Sequence, residues 1–325
     1  MIVYHHRHAA NFYASGGIER AHLLRSDADA LRKLLARADA RVVPVWRQRN
    51  LVLDSTAEKT APPGPAFLSV PEFQALFADI KLDPEGSAVL LGFVDDAPHF
   101  AIDLSLLAEP EIQARIQGLN KGGAPRFADL RDVGPLIGHQ PGAVMAYARG
   151  LTFWHERHKF CGVCGSPTVA AEAGHVRRCT NEACKAQHFP RTDPAVIMLV
   201  TDGKRVLLGR QKIWPPGQHS VLAGFVEPGE SLEDAVAREV EEEVGLKVRD
   251  IRYHSSQPWP FPASIMLGFT AMADPVEPKV NTDELETARW FTRAEIRSCP
   301  ENDIFRLPRR VSVSRRLIED WAKGE

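Results

Sequence analysis

Two groups of side chains in this chain of 325 residues have the types and spacing to do chemistry. The first is four thiols in one short stretch, Cys161, Cys164, Cys179 and Cys184, arranged as C-x2-C-x14-C-x4-C. Each close pair fits one tight turn and offers two sulfurs to a single tetrahedral ion, the preference of Zn²⁺. A disulfide pair, a redox CxxC and metal-free buried thiols are the competing readings. A reducing cytosol disfavours the first, and two facing pairs disfavour the second. The other group is acidic. Glu239, Glu242 and Glu243 stand at i, i+3 and i+4 of a helical stretch, so their carboxylates share one face. Such clustering opposes stability unless a cation neutralises it, and Mg²⁺ or Mn²⁺ prefers oxygen ligands of this kind. Glu230 is placed to reach the same cluster, and Arg238 to hold a carboxylate or the loop through its fork of donors. The bland alternative is a solvated acidic helix face.

The elements that must position these groups are legible around them. From Gly224 to Leu246 the chain reads GFVEPGESLEDAVAREVEEEVGL. A Pro-Gly turn precedes Ser231, which with Asp234 forms a capping-box signal. Leu232, Val236 and Val240 recur every four residues as a buried stripe, and Gly245 is a favoured stop. Around the thiols, Gly162 and Gly165 release the CGVCG turn. Thr168 to Arg178 reads as a hairpin turning near Gly174, so the whole is a zinc ribbon. His175 and His188 are spare ligands beside a shell that four cysteines already close, and Cys299 stands outside it. A helix over about 143–158 leads into the ribbon. Upstream, SDADALRKLLAR opens at Ser26 as the one helical stretch; RVVPVW and NLVLD read as strands, and VLLGFV and HFAIDL as a hairpin. Downstream, AVIMLVT and RVLLGR read as strands joined across Asp-Gly. The expected division is an N-terminal scaffold domain at 1–135, a linker helix and four-cysteine zinc ribbon at 136–188, and a catalytic domain at 189–325.

Composition narrows the class. Lys plus Arg number 40 against 42 for Asp plus Glu, a net of -2, which provides no global field for holding long nucleic acid. No apolar run approaches the ~18 residues of a membrane span. The opening MIVYHHRHAANFYASGG lacks the apolar core of a secretory signal. A cytoplasmic protein is expected.

The acidic segment resembles the Nudix box, G-x5-E-x7-R-E-U-x-E-E-x-G-U with U apolar, and matches every specified position. Gly224, Glu230, Arg238, Glu239, Val240, Glu242, Glu243, Gly245 and Leu246 fill them in order. The resemblance implies an α/β/α sandwich that hydrolyses a nucleoside diphosphate linked to another group. It also implies Mg²⁺ or Mn²⁺ at Glu239, Glu242 and Glu243, with Glu230 in support. Downstream, Ser256-Gln257-Pro258-Trp259-Pro260-Phe261-Pro262-Ala263-Ser264 resembles the SQPWPFPxS array of the NADH pyrophosphatase subgroup. Three prolines around two aromatics make a stiff segment suited to presenting rings for stacking, or a Pro-bounded core strand. In that subgroup the array accompanies a four-Cys ribbon and an N-terminal α/β domain, here a Nudix-like scaffold. The second cysteine pair departs from it, being C-x4-C where C-x2-C is common.

By this resemblance the substrate is NAD(H), cleaved to nicotinamide mononucleotide and AMP. Phe189, Phe225, Gln257, Trp259 and Ser264 are the substrate-binding residues it implies. Glu284 is its catalytic base and a further ligand of the divalent ion, with Glu242 and Glu243 as alternatives for the base. It implies a homodimer too. Removal of NAD caps from RNA 5′ ends, action on another nucleoside diphosphate derivative, and a non-catalytic zinc-ribbon module remain open.

Overall fold

Strand alternation dictates the layers of the C-terminal half. In AVIMLVT, Val196, Met198 and Val200 point to one face of a sheet and Ile197 and Leu199 to the other. Both faces are apolar, so both must be covered. The computed structural model describes residues 11–14, 17–56, 61–119 and 121–324. Most of the opening segment read for a secretory signal therefore lies outside the described residues. The chain divides into two compact units, one of residues 1–14, 192–259 and 264–325, the other of 15–191 and 260–263.

The unit holding residues 15–191 contains β1 (Arg41–Trp46), β2 (Arg49–Ser55), β3 (Gly64–Pro65), β4 (Leu68–Ser69), β5 (Ala88–Val94), β6 (Ala97–Asp103) and β7 (Gly123–Ala128). These form one sheet of order β3-β2-β1-β6-β5, with β4 on β1 and β7 on β2; β1 and β6 run parallel. Its helices are α1 (Ala28–Leu35), α2 (Val70–Leu76), α3 (Glu109–Ile116), α4 (Leu130–Ile137) and α5 (His139–Arg157). Four of the five precede residue 138, where the sequence reading found one. α2 buries only Phe73 and α3 only Ile112 and Ile116, too few apolar positions to display a clear period. The first helix starts one residue later than read, on an Asp27 cap that accepts from Ala30 N–H. The β5–β6 hairpin turns on Asp95 and Asp96 alone, both at positive φ (48° and 63°), as a two-residue hairpin requires.

The ribbon follows as β8 (Thr168–Ala171), β9 (Val176–Cys179) and β10 (Gln187–His188). Arg177 ties it to the end of α5, donating from Nε to His158 O (2.8 Å) and from Nη2 to Thr168 O (2.7 Å). His175 Nε2 bonds Leu90 O of β5 at 2.7 Å. Burial pushes the His175 imidazole down to about 4, so it is neutral in the fold. The sign of the linkage follows from this depression. Its contribution is complete above the unfolded value of about 6.5 and is lost as pH falls toward 4. His175→Gln keeps a donor for Leu90 O but cannot take up a proton. Thermal melts from pH 7 to 4.5 should show the variant losing less stability than the parent; parallel curves would remove His175 from the acid response.

The other unit contains β11 (Asp193–Thr201), β12 (Arg205–Arg210), β13 (Leu222–Phe225), β14 (Val248–Trp259), β15 (Ser264–Ala273) and β16 (Thr287–Thr292). The sheet order is β14-β15-β11-β12-β16, with β13 also on β11 and β11 parallel to β15. Its helices are α6 (Leu232–Val244), α7 (Arg293–Arg297) and α8 (Val313–Lys323). Val236, Val240 and Val244 of α6 pack on Val196, Met198 and Val200. On the opposite face Ile296 of α7 and Leu317, Ile318 and Trp321 of α8 cover Ile197 and Leu199. The result is the expected α/β/α sandwich. No helix among the described residues is long and apolar enough to cross a membrane.

Candidate active site and metal centre

The acidic site is built on α6. Ser231 caps it as read: its Oγ accepts from Asp234 N–H (3.1 Å) while Asp234 Oδ2 accepts from the Ser231 hydroxyl (2.6 Å). Gly245 closes it at φ 65°, a left-handed stop that favours glycine. The valine stripe turned into the core carries Glu239 and Glu243 inward with it, at 9% and 5% exposure, whereas Glu242 stays exposed. Sharing a face therefore does not mean sharing an environment. Gly224 of β13 faces Glu239 so closely that a Cβ there would overlap the carboxylate, which is the physical reason for a glycine at this position.

Arg238 is the hub. Its Nη1 donates to Glu239 Oε1 and Glu242 Oε2, each at 2.9 Å, and its Nη2 to Glu230 Oε1 (2.7 Å) and Phe225 O (2.9 Å). Glu230 accepts from Arg238 Nε through its second oxygen, and from Glu227 N–H at 2.7 Å. Arg238 holds the Glu230 carboxyl below the usual range. In this geometry Glu230 braces the loop through Arg238, the same arginine that holds Glu239 and Glu242.

Glu243 carries the strongest electrostatic signal. Burial first, then repulsion from Glu239 and Glu284, pushes its carboxyl up to about 8. Burial also raises Glu239. Glu243 Oε2 is buried with no hydrogen-bond partner among the described residues, a costly state for a carboxyl oxygen. The loop carrying exposed Glu284 is drawn over the end of α6 by Lys279 N–H to Val244 O and Asn281 N–H to Glu243 O, both 2.8 Å. An orphaned oxygen among like-charged carboxylates is the donor set that a hard divalent cation fits.

Beside Glu243 a cavity of about 190 Å³ opens, with Ile197, Leu222, Gln257, Trp259 and Ser314 among its walls. Trp259 ends β14 opposite Ser264, the first residue of β15, and both are half-buried. The proline-framed array is thus the close of one strand, a turn, and the start of the next. Gln257, expected to contact substrate, is wholly buried with its amide bonded to backbone. Phe225 and Phe189 are exposed at 60% and 63%; Phe225 closes β13 in this unit, and Phe189 belongs to the ribbon-bearing unit. Ser314, Ser220 and Trp214 also line the cavity and were missed in the sequence. The apolar period Val313, Leu317, Ile318, Trp321 after Ser312 was the available signal for α8.

In the other unit the four cysteine sulfurs all lie within 4.8 Å of one another. Cys164 and Cys179 are 3.5 Å apart and Cys161 and Cys184 3.9 Å, beyond the ~2.05 Å of a disulfide. Val163 N–H donates to Cys161 Sγ and Asn181 N–H to Cys179 Sγ, both at 3.4 Å. Each pair thus sits on a tight turn that aims amides at sulfur, and the wider second pair closes as well as the first. This donor set fits a tetrahedral Zn²⁺. His188 contacts Cys161 Sγ from outside (3.3 Å), and His175 turns away to Leu90.

Comparison with known proteins finds three family models along the chain. Residues 39–154 match the NADH pyrophosphatase-like rudimentary NUDIX domain, 156–189 the NADH pyrophosphatase zinc ribbon domain, and 191–312 the NUDIX domain. A Mycobacterium bovis protein named NAD-capped RNA hydrolase NudC is 42% identical over 256 residues, covering 74% of this chain and 77% of its own. A human protein named NAD-capped RNA hydrolase NUDT12 is 37% identical over 278 residues, covering 79% of this chain. The match spans 59% of the human protein's length. Among solved structures, a NUDIX hydrolase from Nitrosomonas europaea is 26% identical with a TM-score of 0.41, covering 51% of this chain and 94% of that one.

Proposed function

Since the chain belongs to the Nudix hydrolases that carry an NADH pyrophosphatase zinc ribbon, we propose that it hydrolyses the pyrophosphate of NAD(H) to nicotinamide mononucleotide and AMP. The observation that carries this reading is the orphaned, buried Glu243 oxygen beside a cavity walled by Trp259. Glu239, Glu242 and Glu243 would hold Mg²⁺ or Mn²⁺. When bound, such an ion supplies charge neutralisation at the pyrophosphate and a water of lowered pKa. Arg238 keeps Glu239 and Glu242 oriented, and Glu230 keeps Arg238 in place. Glu284, exposed and accepting from the Asn281 side-chain amide, takes the proton of the attacking water; Glu242 and Glu243 are the alternatives. At about 190 Å³ the cavity is smaller than the ~300–1,000 Å³ of whole-ligand sites. It suits one end of a dinucleotide, the single nicotinamide ring, with Trp259 as a stacking wall; Ser264, the strand partner of Trp259, is the further array residue for substrate contact. Phe225 offers an exposed aromatic face for the second base; Phe189 is carried over from the family pattern as a substrate contact, and a homodimer is expected on the same ground.

On this reading residues 189–325 do the chemistry, 136–188 form a structural Zn²⁺ ribbon, and 1–135 are a scaffold. A cytoplasmic, reducing setting would keep the four thiols free to bind metal. NAD-capped RNA presents the same linkage, and the names of the bacterial and human relatives favour it as a second substrate. The test is a product assay on NADH, NAD⁺ and NAD-capped RNA with Mg²⁺, Mn²⁺ or chelator. Metal-dependent release of AMP from the free dinucleotides, or of 5′-monophosphate RNA from the capped one, is expected. Absence of cleavage on all three with either ion would overturn the assignment.

A further inference from the structure

Gln257 sits in the cavity wall yet has no donor left for a ligand. Its Nε2 donates to Phe12 O (3.0 Å) and Val311 O (2.6 Å), which uses both amide hydrogens, and its Oε1 accepts from Val313 N–H at 2.8 Å. The side chain is 0% exposed. Val313 is the first residue of α8, so this bond satisfies one of the amides that a helix start leaves unpaired. The next amide is met by the cap itself, Ser314 N–H to Ser312 Oγ. Ser314 Oγ then reaches Ser220 Oγ at 2.7 Å, both residues lining the cavity.

The other end of the clasp is the segment Asn11–Tyr13, grouped with this unit although the chain leaves for the other unit immediately afterwards. Asn11 Nδ2 donates to Ser255 Oγ (2.9 Å) and Ser256 O (2.8 Å), and its Oδ1 accepts from Arg316 Nη1 of α8 (2.9 Å). Tyr13, 3% exposed, lies edge-on to the Trp259 ring at 6.1 Å. Three distant stretches, 11–13, 255–259 and 311–316, are thus joined through one buried amide and one asparagine.

We propose that Gln257 is a positioning residue: without touching substrate, it locks the N-terminal segment and the start of α8 onto β14, and so holds Trp259 and Ser314 as the walls of the nicotinamide cavity. This rests on the reading that the cavity takes the nicotinamide end. The metal-binding glutamates lie on α6 and do not depend on the clasp. Losing it should therefore weaken recognition of the ring and spare the chemistry.

Two variants separate the possibilities. Gln257→Met keeps length and shape but deletes all three bonds. Val313→Pro leaves Gln257 intact and removes the N–H from which Oε1 accepts; proline is favoured at a helix's first position, and Ser312 already has the extended backbone (φ -80°, ψ 138°) that a following proline requires. Because the Val313 side chain is buried and lines the cavity, Val313→Ala, which keeps the N–H, is the control for lost packing, and the clasp accounts only for the KM rise of Val313→Pro beyond that of Val313→Ala. With NADH, Gln257→Met should raise KM about tenfold, the scale of leaving buried polar groups unpaired, and Val313→Pro should raise it by a smaller factor; kcat should change little in either. ADP-ribose, which keeps the pyrophosphate but lacks nicotinamide, should be cleaved by both variants as by the parent. Amide hydrogen exchange in 311–316 should quicken about tenfold in Gln257→Met. A raised NADH KM in Gln257→Met with no rise in Val313→Pro beyond that of Val313→Ala would make Gln257 a direct ligand and overturn the proposal. So would equal losses on NADH and ADP-ribose, or unchanged exchange at 311–316. If the parent cleaves neither substrate, the functional reading fails, while the exchange data still decide the clasp.

Discussion

Glu243→Gln should abolish most hydrolysis of NADH and, in metal-free protein, raise the melting temperature. Both effects have one source. In the metal-free parent the Glu243 carboxyl, 5% exposed with Oε2 unpartnered among the described residues, is pushed up to about 8 by burial and then by Glu239 and Glu284. Above the unfolded value of about 4.5, folding must therefore restore a proton that the unfolded chain has released. Burying an uncompensated carboxyl costs stability, and glutamine fills the same space without charge. The same change removes an anionic ligand where the reaction needs charge neutralised, so the rate should fall about 10²- to 10³-fold, several kcal/mol of barrier. Glu242→Gln is the informative companion. Glu242 is exposed and tied to Arg238, so its loss should cut the rate without a comparable gain in melting temperature. Turnover assays with saturating Mg²⁺ and calorimetry in chelator check the pair. A Glu243→Gln variant that melts lower than its parent would mean the carboxyl is structurally paired; one that turns over normally would move the chemistry off α6.

Cys179→Ser should strip zinc from the chain and unfold the ribbon with it. Cys179 ends β9 and is 5% exposed, with its sulfur 3.5 Å from that of Cys164. Beyond the anchors made by Arg177 and His175, the segment has only β8, β9 and β10, which are two to four residues long, too short for independent stability. Structural zinc contributes roughly 10–16 kcal/mol in isolated zinc modules, more than the whole stability of many domains. The parent, purified without chelator, should contain about one Zn²⁺ per chain. Elemental analysis and limited proteolysis between residues 158 and 190 would read the outcome. A zinc-free parent, or a Cys179→Ser chain with undiminished zinc and protection, would refute the four-thiolate site.

What was legible in the amino-acid sequence is short-range. The four cysteines declare themselves because each pair needs only a few residues of backbone to form its turn. The α6 glutamates do so because cap, valine period and glycine stop lie within one helix. Strands such as Asp193–Thr201 were legible from their apolar runs alone. The tertiary structure decided the rest, because it depends on what comes to face what. Spacing put Glu239, Glu242 and Glu243 together, but only packing of the valine stripe under β11 and β13 buried two of them and left the third exposed. Arg238 read as a neighbour of the cluster, and became its hub only when the β13 loop brought Glu230 and Phe225 O within reach. Gln257 matched a binding array by type. Its side chain was claimed instead by Phe12, 245 positions away, and by the start of α8. A glutamine has the same donors whether it meets a ligand or a backbone carbonyl, and only the fold determines which one lies within 3 Å.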